Sequence, residues 1–345
     1  FKRYALSIQY HGSAFLGVSY LGCEREGKQL LLLDKKTNKN EITNNSIDIT
    51  NYGPFSVEAH IREALRKLVG KDNYENFQIS SRTDRGVHAI QNTCHIDIRS
   101  TRQNSNSKQS SSSSIIKSWK SKNLFHGINY YLSKQQQQQQ RTEISKYDSN
   151  SIANYVRIVS LYNAPSCLKN SDYGIIEKGG PDYFDFWHAR YSVIERTYVY
   201  RILIAENDNL FERDRAWKIS ELLDIDAMKE ASHYFIGSDI DMSTFRNANC
   251  QRKTPYVTVN NITITEESNN FFSSSSKVYS IRISGKSFLY KQVRNMVGCL
   301  VKVGKGKLQP KDVSNLLSQR DRSLAPPTAP AHGLFLVNVV HDGIK

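Results

Sequence analysis

The stretch SSRTDRGVHAIQ, at residues 80–91, carries the densest group of side chains capable of chemistry. Asp84 lies between Arg82 and Arg85, and opposite charge on either side favours the ionised carboxylate. An ionised carboxylate can act as a nucleophile or a base near neutral pH. Taken alone, the pattern is more typical of a charged surface turn in which Gly86 supplies backbone freedom. A catalytic role for Asp84 therefore depends on what other elements bring to this loop.

The histidine of this stretch and the cysteines of the chain do not form metal-ligand patterns. His88 has no second histidine at ligand spacing, which favours a hydrogen-bonded packing role. The five cysteines lack a C-x-x-C pair, which predicts reduced, mostly buried thiols of an intracellular protein and no structural metal. They are Cys23, Cys94, Cys167, Cys250 and Cys299.

A second dense stretch, FDFWHARYSVIERTYVYRI at residues 184–202, interleaves aromatic and basic side chains. Tyr198 and Tyr200 fall on one face of a predicted strand, because side chains alternate with a period of two. This composition suits base stacking and neutralisation of a nucleic-acid backbone. It also suits a core strand that packs on a helix, and we expect that role for at least one of the two tyrosines.

Two C-terminal stretches complete the set. In SFLYKQVRNMVGCLVKVGKGKL, Arg294 lies beside the apolar stripe of a predicted helix, where an arginine normally needs an anionic partner. Asp84 is one candidate partner, and a side chain that reaches solvent is the alternative. In APPTAPAHGLFLVNVV, a proline-stiffened loop feeds a strand and brings Gly333 and Leu334 towards a cleft, with a plain edge loop as the alternative.

Alternating strand and helix patterns must position these stretches. Polar and apolar residues alternate from Tyr4 to Tyr10 as in a half-buried strand, and Ser56 to Val69 has the cap and apolar stripe of a helix that ends at Gly70. Further patterns predict strands at 76–80, 94–98, 196–204, 257–265, 278–284 and 334–340, and helices at 225–236, 288–303 and 310–318. Mixed connection lengths favour an α+β fold with a largely antiparallel sheet and helices on one face.

Four tracts rich in Asn, Ser and Gln interrupt these patterns at residues 35–51, 99–114, 135–140 and 266–276. Such tracts cannot bury enough apolar surface to offset their ordering entropy, and we interpret them as loop insertions. A role in tethering RNA or a partner is the weaker alternative.

Composition limits the class of protein. A chain of 345 residues fits two domains, and 47 Lys and Arg against 33 Asp and Glu leave a net charge of +14. This excess favours a polyanionic partner, nucleic acid first, over a basic protein without one. No apolar run approaches the roughly 20 residues that span a bilayer, which predicts a soluble protein without a membrane partner. The chain begins at Phe1, so a preceding targeting segment stays open.

Taken together, these stretches resemble the TruA family of tRNA pseudouridine synthases, most closely its eukaryotic, mitochondrial-type branch. YHGSAFLG is similar to the family's opening strand and turn, and SSRTDRGVHA to its catalytic loop, G-R-T-D-A-G-V-H-A. FWHARYSVIERTYVY is similar to the FHAR and R-x-Y-x-Y motifs, and FLYKQVRNMVG and APAHGLFL to the C-terminal signatures. Five motifs in this order cover nearly the whole chain outside the inserts.

The resemblance implies a fold and a role for each matching residue. The fold is the pseudouridine synthase fold, with two α/β subdomains at 1–183 and 184–345, joined and largely antiparallel sheets, and a basic cleft between them. Asp84 is implied as the catalytic aspartate, Tyr198 as the aromatic that stacks on the target uracil, and Arg294 as the ion-pair partner of Asp84. The residues implied to contact RNA are Arg82, which helps hold the target nucleotide out of the stack, Leu334 under the base, and His188 and Arg190 near the backbone.

Two departures from the family pattern flank the aspartate. Ser81 stands at the family's first glycine and Arg85 at its alanine. We assign Arg85 to RNA binding, with a side chain that points to solvent as the alternative.

The implied reaction breaks the N1–C1′ bond of uridine, turns the uracil and joins C5 to C1′, without redox change, cofactor or metal. The base must first leave the stack, which costs a few kcal/mol. Asp84 then adds to C1′ or removes a sugar proton, and the sequence leaves both open. Tyr198 holds the freed uracil, and its hydroxyl is suited to help remove the C5 proton.

The leading hypothesis is thus a pseudouridine synthase acting on tRNA, in the anticodon stem-loop and in mitochondria, with cytoplasm and nucleus as alternative locations. A non-catalytic RNA-binding or ribosome-assembly factor on the same fold is the rival. A synthase acting on mitochondrial mRNA or rRNA is a third reading. The resemblance also implies a homodimer. The inserts at 99–114 and 135–140 lengthen the region where the family contacts tRNA or its second subunit, so this expectation is weaker than that of catalysis.

Overall fold

The structure, a computed structural model, describes residues 1–19, 56–102, 116–143, 155–165, 187–267 and 276–343. The chain divides into two compact units. Unit 1 comprises Phe1–Arg85, Asn92–Ser192 and Asp342–Lys345, and unit 2 comprises Gly86–Gln91 and Val193–His341. The domain boundary expected at residue 184 stays a prediction of the sequence.

Unit 1 combines a largely antiparallel sheet with two helices. Its strands are β1 (Lys2–Tyr10), β2 (Tyr74–Ile79), β3 (His88–Ile98), β4 (Thr101–Arg102), β5 (Ile116–Lys117) and β6 (Val156–Asn163), and its helices are α1 (Val57–Val69) and α2 (Ser121–Glu143). The sheet order is β6-β1-β3 with β2 on β3, while β4 and β5 form a separate pair. The first residues of β3 belong to unit 2.

Helix α1 follows the sequence prediction closely. The Ser56 side chain caps it by accepting the amide of Ala59, and Gly70 ends it at a φ of 91°, where a side chain would be strained. Helix α2 packs on α1 so tightly that a Cβ on Gly127 would lie 2.5 Å from the side chain of Leu68. The close approach explains why a glycine lies inside this helix.

The glutamine run at 135–140 was predicted as a loop insertion, and this is wrong. The run lies inside α2. Gln135 is buried, and its amide group donates to the carbonyl of His60, so the helix docks on unit 1 at the start of the run. Glutamine is a good helix former, and this preference outweighs the low apolar content once the preceding turns are packed.

Strand β1 is buried on both faces, so the prediction of a half-buried strand is also wrong. Residues Tyr4 to Ile8 are all buried, although their types alternate. The face opposite Tyr4 is covered because Ala5 packs against Trp187 and Ala189. A segment distant in sequence therefore covers the face that alternation assigns to solvent.

Unit 2 contains the remaining elements. Its strands are β7 (Val193–Ile204), β8 (Trp217–Ile219), β9 (Gly237–Asp241), β10 (Tyr256–Glu266), β11 (Lys277–Gly285) and β12 (Leu334–His341), and its helices are α3 (Ile225–His233), α4 (Gln292–Gly304) and α5 (Asp312–Gln319). The strand order is β12-β7-β11-β10-β9, antiparallel throughout, with β8 parallel beside β7. The start of β3 pairs in parallel with β12. These assignments confirm the α+β class with largely antiparallel sheets.

Two helix ends differ from the sequence prediction. Helix α4 begins at Gln292 and not at residue 288, because Lys291 adopts a left-handed φ of 60° and the Gln292 side chain accepts the amide of Leu289. Helix α3 ends at His233, a turn before the predicted end. In both cases local hydrogen bonds close a turn where the apolar pattern continues.

Parts of the predicted insertions lie outside the described residues, namely 35–51, 103–114 and 268–275. The insertion expected at 99–114 begins as a strand, because Thr101–Arg102 pairs with Ile116–Lys117. The described cysteines, Cys94, Cys250 and Cys299, are free thiols as predicted, and Cys94 and Cys299 are buried. Within the described ranges, no helix has the length and apolarity needed to cross a membrane.

Candidate active site

The loop that joins β2 to β3 carries Asp84. Ser80, Ser81 and Thr83 on this loop are buried, Asp84 is half-buried, and Arg82 and Arg85 are exposed. The small polar residues therefore anchor the loop, while the two guanidinium groups reach solvent on either side of the carboxylate.

A fully buried asparagine holds this loop. The Asn92 amide group donates to the carbonyl of Ser81 at 2.8 Å and to the Tyr10 hydroxyl at 3.1 Å. Its oxygen accepts the Ser80 hydroxyl at 2.7 Å and the amide of Thr93 at 2.9 Å. The side-chain amide thus donates two hydrogen bonds and accepts two, and this full set of partners fixes its orientation.

The Tyr10 hydroxyl extends this contact to the residue before the aspartate, because it shares a hydrogen bond of 2.8 Å with the Thr83 hydroxyl. We call Tyr10, Ser80, Thr83 and Asn92 the Asn92 network. Buried polar groups that are fully satisfied impose one arrangement, since any other leaves a donor or acceptor without a partner. The Asn92 network thus sets the position of the backbone on which Asp84 stands.

The turn after β1 packs on the same loop. The amide of Val18 donates to the carbonyl of Thr83 at 3.3 Å. Gly17 has a φ of +121°, and a Cβ there would lie 3.2 Å from that carbonyl oxygen. Both the backbone angle and the close approach require glycine at this position.

The turn at residues 187–192 also lies in unit 1 and contains two residues predicted to contact RNA. The amides of Arg190 and Tyr191 donate to Nδ1 of His188, at 3.0 and 3.4 Å, and the His188 amide donates to the Ser192 hydroxyl. His188 is buried, whereas Arg190 is exposed with its guanidinium 5.6 Å from the Tyr191 ring. His188 therefore positions the turn, and Arg190 is the residue that a ligand can reach.

A second buried histidine supports this turn from β3. Nδ1 of His95 accepts the amide of Ala189 at 3.0 Å, and the two histidine rings lie 4.5 Å apart. Burial and the charge of Arg3 lower the pKa of His95 to about 3 and that of His188 to about 4. Arg3 in turn forms an ion pair with Asp97. Both imidazoles are neutral at physiological pH, and each acts as a hydrogen-bond acceptor.

In unit 2, His88 fills a packing role, as predicted. Its Nε2 is 3.0 Å from the carbonyl oxygen of His332, and its ring stacks on Phe335 at 4.4 Å. The residue is buried at the start of β3. It therefore ties the strand that follows the Asp84 loop to β12.

Tyr198 and Tyr200 lie on one face of β7, opposite Leu336 and Leu334 of β12. Tyr200 is fully buried and donates to the carbonyl of Pro330 at 2.8 Å, which confirms the expected packing role for one of the two tyrosines. Tyr198 keeps 8% of its surface exposed and meets the Phe288 ring edge-on at 5.4 Å. Of the two, only Tyr198 presents any of its surface to a ligand.

Arg294 is held against the loop that precedes β12. Its Nε donates to the carbonyl of Ala329 at 2.8 Å, and the amide of Ala329 donates to the carbonyl of Arg294 at 3.1 Å. Burial raises the pKa of the Tyr200 hydroxyl, and the positive charge of Arg294 partly offsets that rise. Tyr198, Arg294 and Leu334 thus share one neighbourhood of unit 2, built on β7, α4 and the loop at residues 325–333.

Comparisons with known proteins show which family the chain is similar to. A family model described as tRNA pseudouridine synthase matches residues 231–342. The tRNA pseudouridine synthase A of Anaplasma marginale is 30% identical over 284 residues, 82% of this chain and 89% of its own length. That of Sinorhizobium fredii is 28% identical over 337 residues and 98% of either chain, and that of Caulobacter vibrioides is 29% identical over 284 residues, 82% of this chain and 88% of its own.

The chain belongs to the TruA family of tRNA pseudouridine synthases. The charge pattern alone favours a surface turn at the Asp84 loop, whereas family membership favours a catalytic loop there. The TruA-type motifs contribute loops and strands to both units: the Asp84 loop and the turn at residues 187–192 to unit 1, and Tyr198, Arg294 and Leu334 to unit 2.

The Asn92 network is the part of this TruA-family site that sequence reasoning missed. Tyr10 ends the first predicted strand and begins the YHGSAFLG motif, and Asn92 lies between the stretch at residues 80–91 and the strand predicted at 94–98, so neither residue is assigned a role from the sequence. Asn92 is one of several polar residues of β3 and bonds the backbone carbonyl of Ser81, so residue types alone gave no signal for this contact. Among the described residues of this TruA-family chain, no group of three or more His, Cys, Asp or Glu is placed to hold a metal ion.

Proposed function

We propose that this chain isomerises uridine to pseudouridine in tRNA, with Asp84 as the catalytic residue. The observation that carries the proposal is the Asp84 loop, where buried Ser80, Ser81 and Thr83 hold a half-buried carboxylate between two exposed arginines. A binding module needs the arginines but has no use for a fixed carboxylate beside RNA phosphates. The named relatives, all tRNA pseudouridine synthase A, support the same reaction.

The residues act on a uridine that has left the base stack. Arg82 and Arg85 are exposed and neutralise RNA phosphate near the flipped nucleotide. Asp84 acts at the sugar, either on C1′ or on a sugar proton, and Arg294 serves as its counter-ion, a role that the family resemblance supplies. A counter-ion keeps the carboxylate ionised and therefore reactive.

The freed uracil needs a surface on which to turn. Tyr198 offers the accessible part of a ring whose position is fixed by Phe288, and Leu334 provides an apolar contact on the neighbouring strand. A stacked base gains roughly 1 to 3 kcal/mol from an aromatic partner. We assign Arg190 to the RNA backbone, and His188 to the positioning of Arg190, because its ring accepts the Arg190 amide.

We further propose that the substrate is the anticodon stem-loop of tRNA and that the reaction takes place in the mitochondrion. The enzyme is then a member of the eukaryotic mitochondrial-type branch. Support comes from the motif resemblance and from the excess of positive charge, which suits a polyanionic substrate. The relatives named above are bacterial. Imaging of the tagged full-length protein in cells tests the location, and a homodimer is tested by light scattering of the purified chain.

The decisive experiment replaces Asp84 with asparagine. Asp84→Asn keeps the size of the side chain and removes its charge, so we expect tRNA affinity within about threefold of wild type and no pseudouridine in the product. Pseudouridine mapping of total RNA from cells carrying the variant also identifies the uridines and the RNA class. Sites lost from the anticodon arm support the proposed substrate, whereas sites lost only from mRNA or rRNA transfer the activity there.

The matched control is Asp97→Asn. Asp97 is an aspartate of the same unit that pairs with Arg3 and lies outside the Asp84 loop. We expect it to lower stability and to leave the modification pattern intact. An Asp84→Asn protein that still forms pseudouridine contradicts the catalytic assignment, and a wild-type protein that binds tRNA without modifying any RNA favours the non-catalytic factor.

A further inference from the structure

A cavity of about 280 Å³ opens on unit 2 and is rich in arginine. We call it the Arg246 pocket, and its lining residues are Ser243, Arg246, Ala248, Arg320, Asp321 and Arg322. Its volume is close to the lower end of the range for ligand clefts, about 300 Å³. None of these residues belongs to the motifs that carry the family resemblance.

The charges around the pocket do not cancel. Arg320 pairs with Asp241 at 3.1 Å, while its side chain stays 64% exposed. The Asp321 carboxylate accepts the backbone amide of Ser323, and this hydrogen bond holds the pKa of the carboxyl below the ordinary range. Arg246 and Arg322 form no ion pair with any residue that the structure describes. The three guanidinium groups therefore face two carboxylates, Asp241, which pairs with Arg320, and Asp321, which accepts a backbone amide. One positive charge is left over.

One of the arginines is built into the wall. Arg322 donates through its two terminal nitrogens to the carbonyls of Ala325 and Pro326, the Asn295 side-chain oxygen and the Thr328 hydroxyl. All four acceptors are neutral, so the bonds hold the guanidinium in place without removing its charge. A fixed, uncompensated cation in a concave surface is preorganised for an anion.

The other two arginines are held by fewer hydrogen bonds than Arg322. Arg320 follows α5 in a left-handed conformation, φ 54°, at the position where helices usually end in glycine. Among the described residues, the Arg246 side chain makes one long hydrogen bond, 3.4 Å, to the carbonyl of Arg252. Both guanidinium groups are therefore available to a ligand.

We propose that the Arg246 pocket binds a phosphodiester group of the substrate tRNA. This inference rests on the proposed function and adds to it a specific RNA contact in unit 2. Guanidinium groups match phosphate oxygens with paired hydrogen bonds, and Ser243 adds a hydroxyl at the same cavity.

The pocket is linked to Arg294 by one loop. Thr328 and Arg322 both bond the side chain of Asn295, the residue after Arg294, and Ala329 exchanges two hydrogen bonds with Arg294 itself. A phosphate held by Arg320 and Arg322 therefore stabilises the loop that positions the proposed counter-ion of Asp84. The contact thus serves affinity and the placement of Arg294 together.

The test compares two double variants of the full chain. Arg246→Gln/Arg320→Gln removes the accessible charges and leaves the wall residue Arg322 in place. Arg213→Gln/Lys229→Gln removes the same charge from exposed side chains of unit 2 that do not line the pocket. The affinity for a tRNA transcript is measured from 50 to 200 mM salt, alongside thermal unfolding with and without inorganic phosphate.

We expect the pocket variant to bind tRNA at least fivefold more weakly, with the slope of log affinity against log salt reduced by about one, as for the loss of one phosphate contact. The control variant should change affinity less than twofold and leave the slope near wild type. Equal weakening in both variants overturns the proposal, because it shows a general charge effect. Stabilisation of wild type by inorganic phosphate, combined with unchanged tRNA affinity of the pocket variant, also overturns it and assigns the pocket to a free anion.

Two precautions separate the outcomes. Arg320→Gln alone, on a largely exposed side chain, repeats the comparison if the double variant unfolds. Pseudouridine formation by wild type is assayed in the same preparations. If wild type binds tRNA but forms none, the proposed function fails while the binding comparison still decides the pocket.

Discussion

Asn92 shows how a residue without chemistry of its own can set a catalytic geometry. Its buried side chain bonds the Asp84 loop at Ser80 and Ser81 and reaches Thr83 through Tyr10. Arg82 and Arg85 of the same loop are exposed to solvent, so their side chains do not pack the loop against the rest of unit 1. The position of Asp84 therefore depends on neutral partners beneath it.

Removing this side chain tests the dependence. Asn92→Ala leaves the Ser80 hydroxyl, the Ser81 carbonyl and the Tyr10 hydroxyl without their partner, and we expect a loss of about 2 to 4 kcal/mol in the free energy of unfolding. The turnover rate on tRNA should fall tenfold or more, with a smaller change in KM, because the carboxylate loses its placement. Denaturant unfolding and single-turnover kinetics measure the two effects.

The control is Asn129→Ala on α2. Asn129 exchanges two hydrogen bonds with the backbone of Ile158 and touches no part of the Asp84 loop in the described contacts. It should lose stability while keeping its turnover rate. Retention of full turnover by folded Asn92→Ala would exclude the positioning role.

At the scale of elements, the turn at residues 187–192 depends on neutral imidazoles. His95 and His188 accept backbone amides through Nδ1, and protonation would turn these acceptors into donors. Arg3, Arg190 and Asp97 are the charged groups that act on the two rings. The turn that presents Arg190 is therefore sensitive to acid.

This sensitivity gives a stability change with a defined sign. His188 has a pKa of about 4 in the folded chain, below the ordinary value of 6.5, so the unfolded chain binds the proton more readily between these values. Stability should thus be intact above pH 6.5 and fall as the pH drops towards 4, by roughly 2 to 3 kcal/mol from this group. His188→Asn, whose oxygen replaces Nδ1 as an acceptor, should make the melting temperature less dependent on pH over that window, and His95, whose pKa is also lowered, accounts for part of the dependence that stays.

The control for this pH profile is His126→Asn, on an exposed face of α2. It should reproduce the wild-type dependence. An unchanged profile in His188→Asn would show that the acid sensitivity arises elsewhere.

Helix α4 and the following loop form the second element on which the site depends. A Cβ on Gly298 would lie 2.2 Å from the carbonyl oxygen of Pro327, in the loop that holds Arg294 through Ala329. Alanine is favoured over glycine inside a helix by roughly 1 kcal/mol, but a backbone contact this short must open. We expect Gly298→Ala to lower stability by about 1 to 3 kcal/mol and to reduce turnover.

Gly304→Ala is the matched control near the end of the same helix. Its Cβ would meet the Met228 side chain, which can turn away. A smaller loss of stability and an unaltered rate are expected by thermal melts and tRNA assays. If Gly298→Ala proved as stable and active as wild type, the close contact between α4 and the loop would not be needed for stability or turnover.

For the whole molecule, the net charge of +14 decides how the chain meets its substrate. A protein that neutralises several phosphates loses affinity steeply with salt, because counterions are released on binding. We expect tRNA affinity to fall at least tenfold between 50 and 200 mM salt, while the single-turnover rate at saturating tRNA changes less than twofold. A salt-independent affinity would contradict a backbone-dominated interface.

The sequence alone determined the elements whose signals are local. Ser56 caps α1 through a hydrogen bond to an amide three residues later, and Gly70 ends the helix. The strands β3, β7, β10, β11 and β12 follow from alternating or apolar runs, because side chains of a strand point to opposite faces in turn. The order of five motifs also pointed to the family to which the chain belongs. Asp84 was identified as a candidate by its neighbours in sequence.

Tertiary structure decided what depends on contacts between distant segments. Trp187 and Ala189 cover the second face of β1, and the glutamine run continues a helix that is already docked. Asn92, distant in sequence from Tyr10, becomes the anchor of the Asp84 loop only when β1 and β3 lie in one sheet. Burial and hydrogen-bond satisfaction belong to the folded set of neighbours, so no single stretch of sequence encodes them.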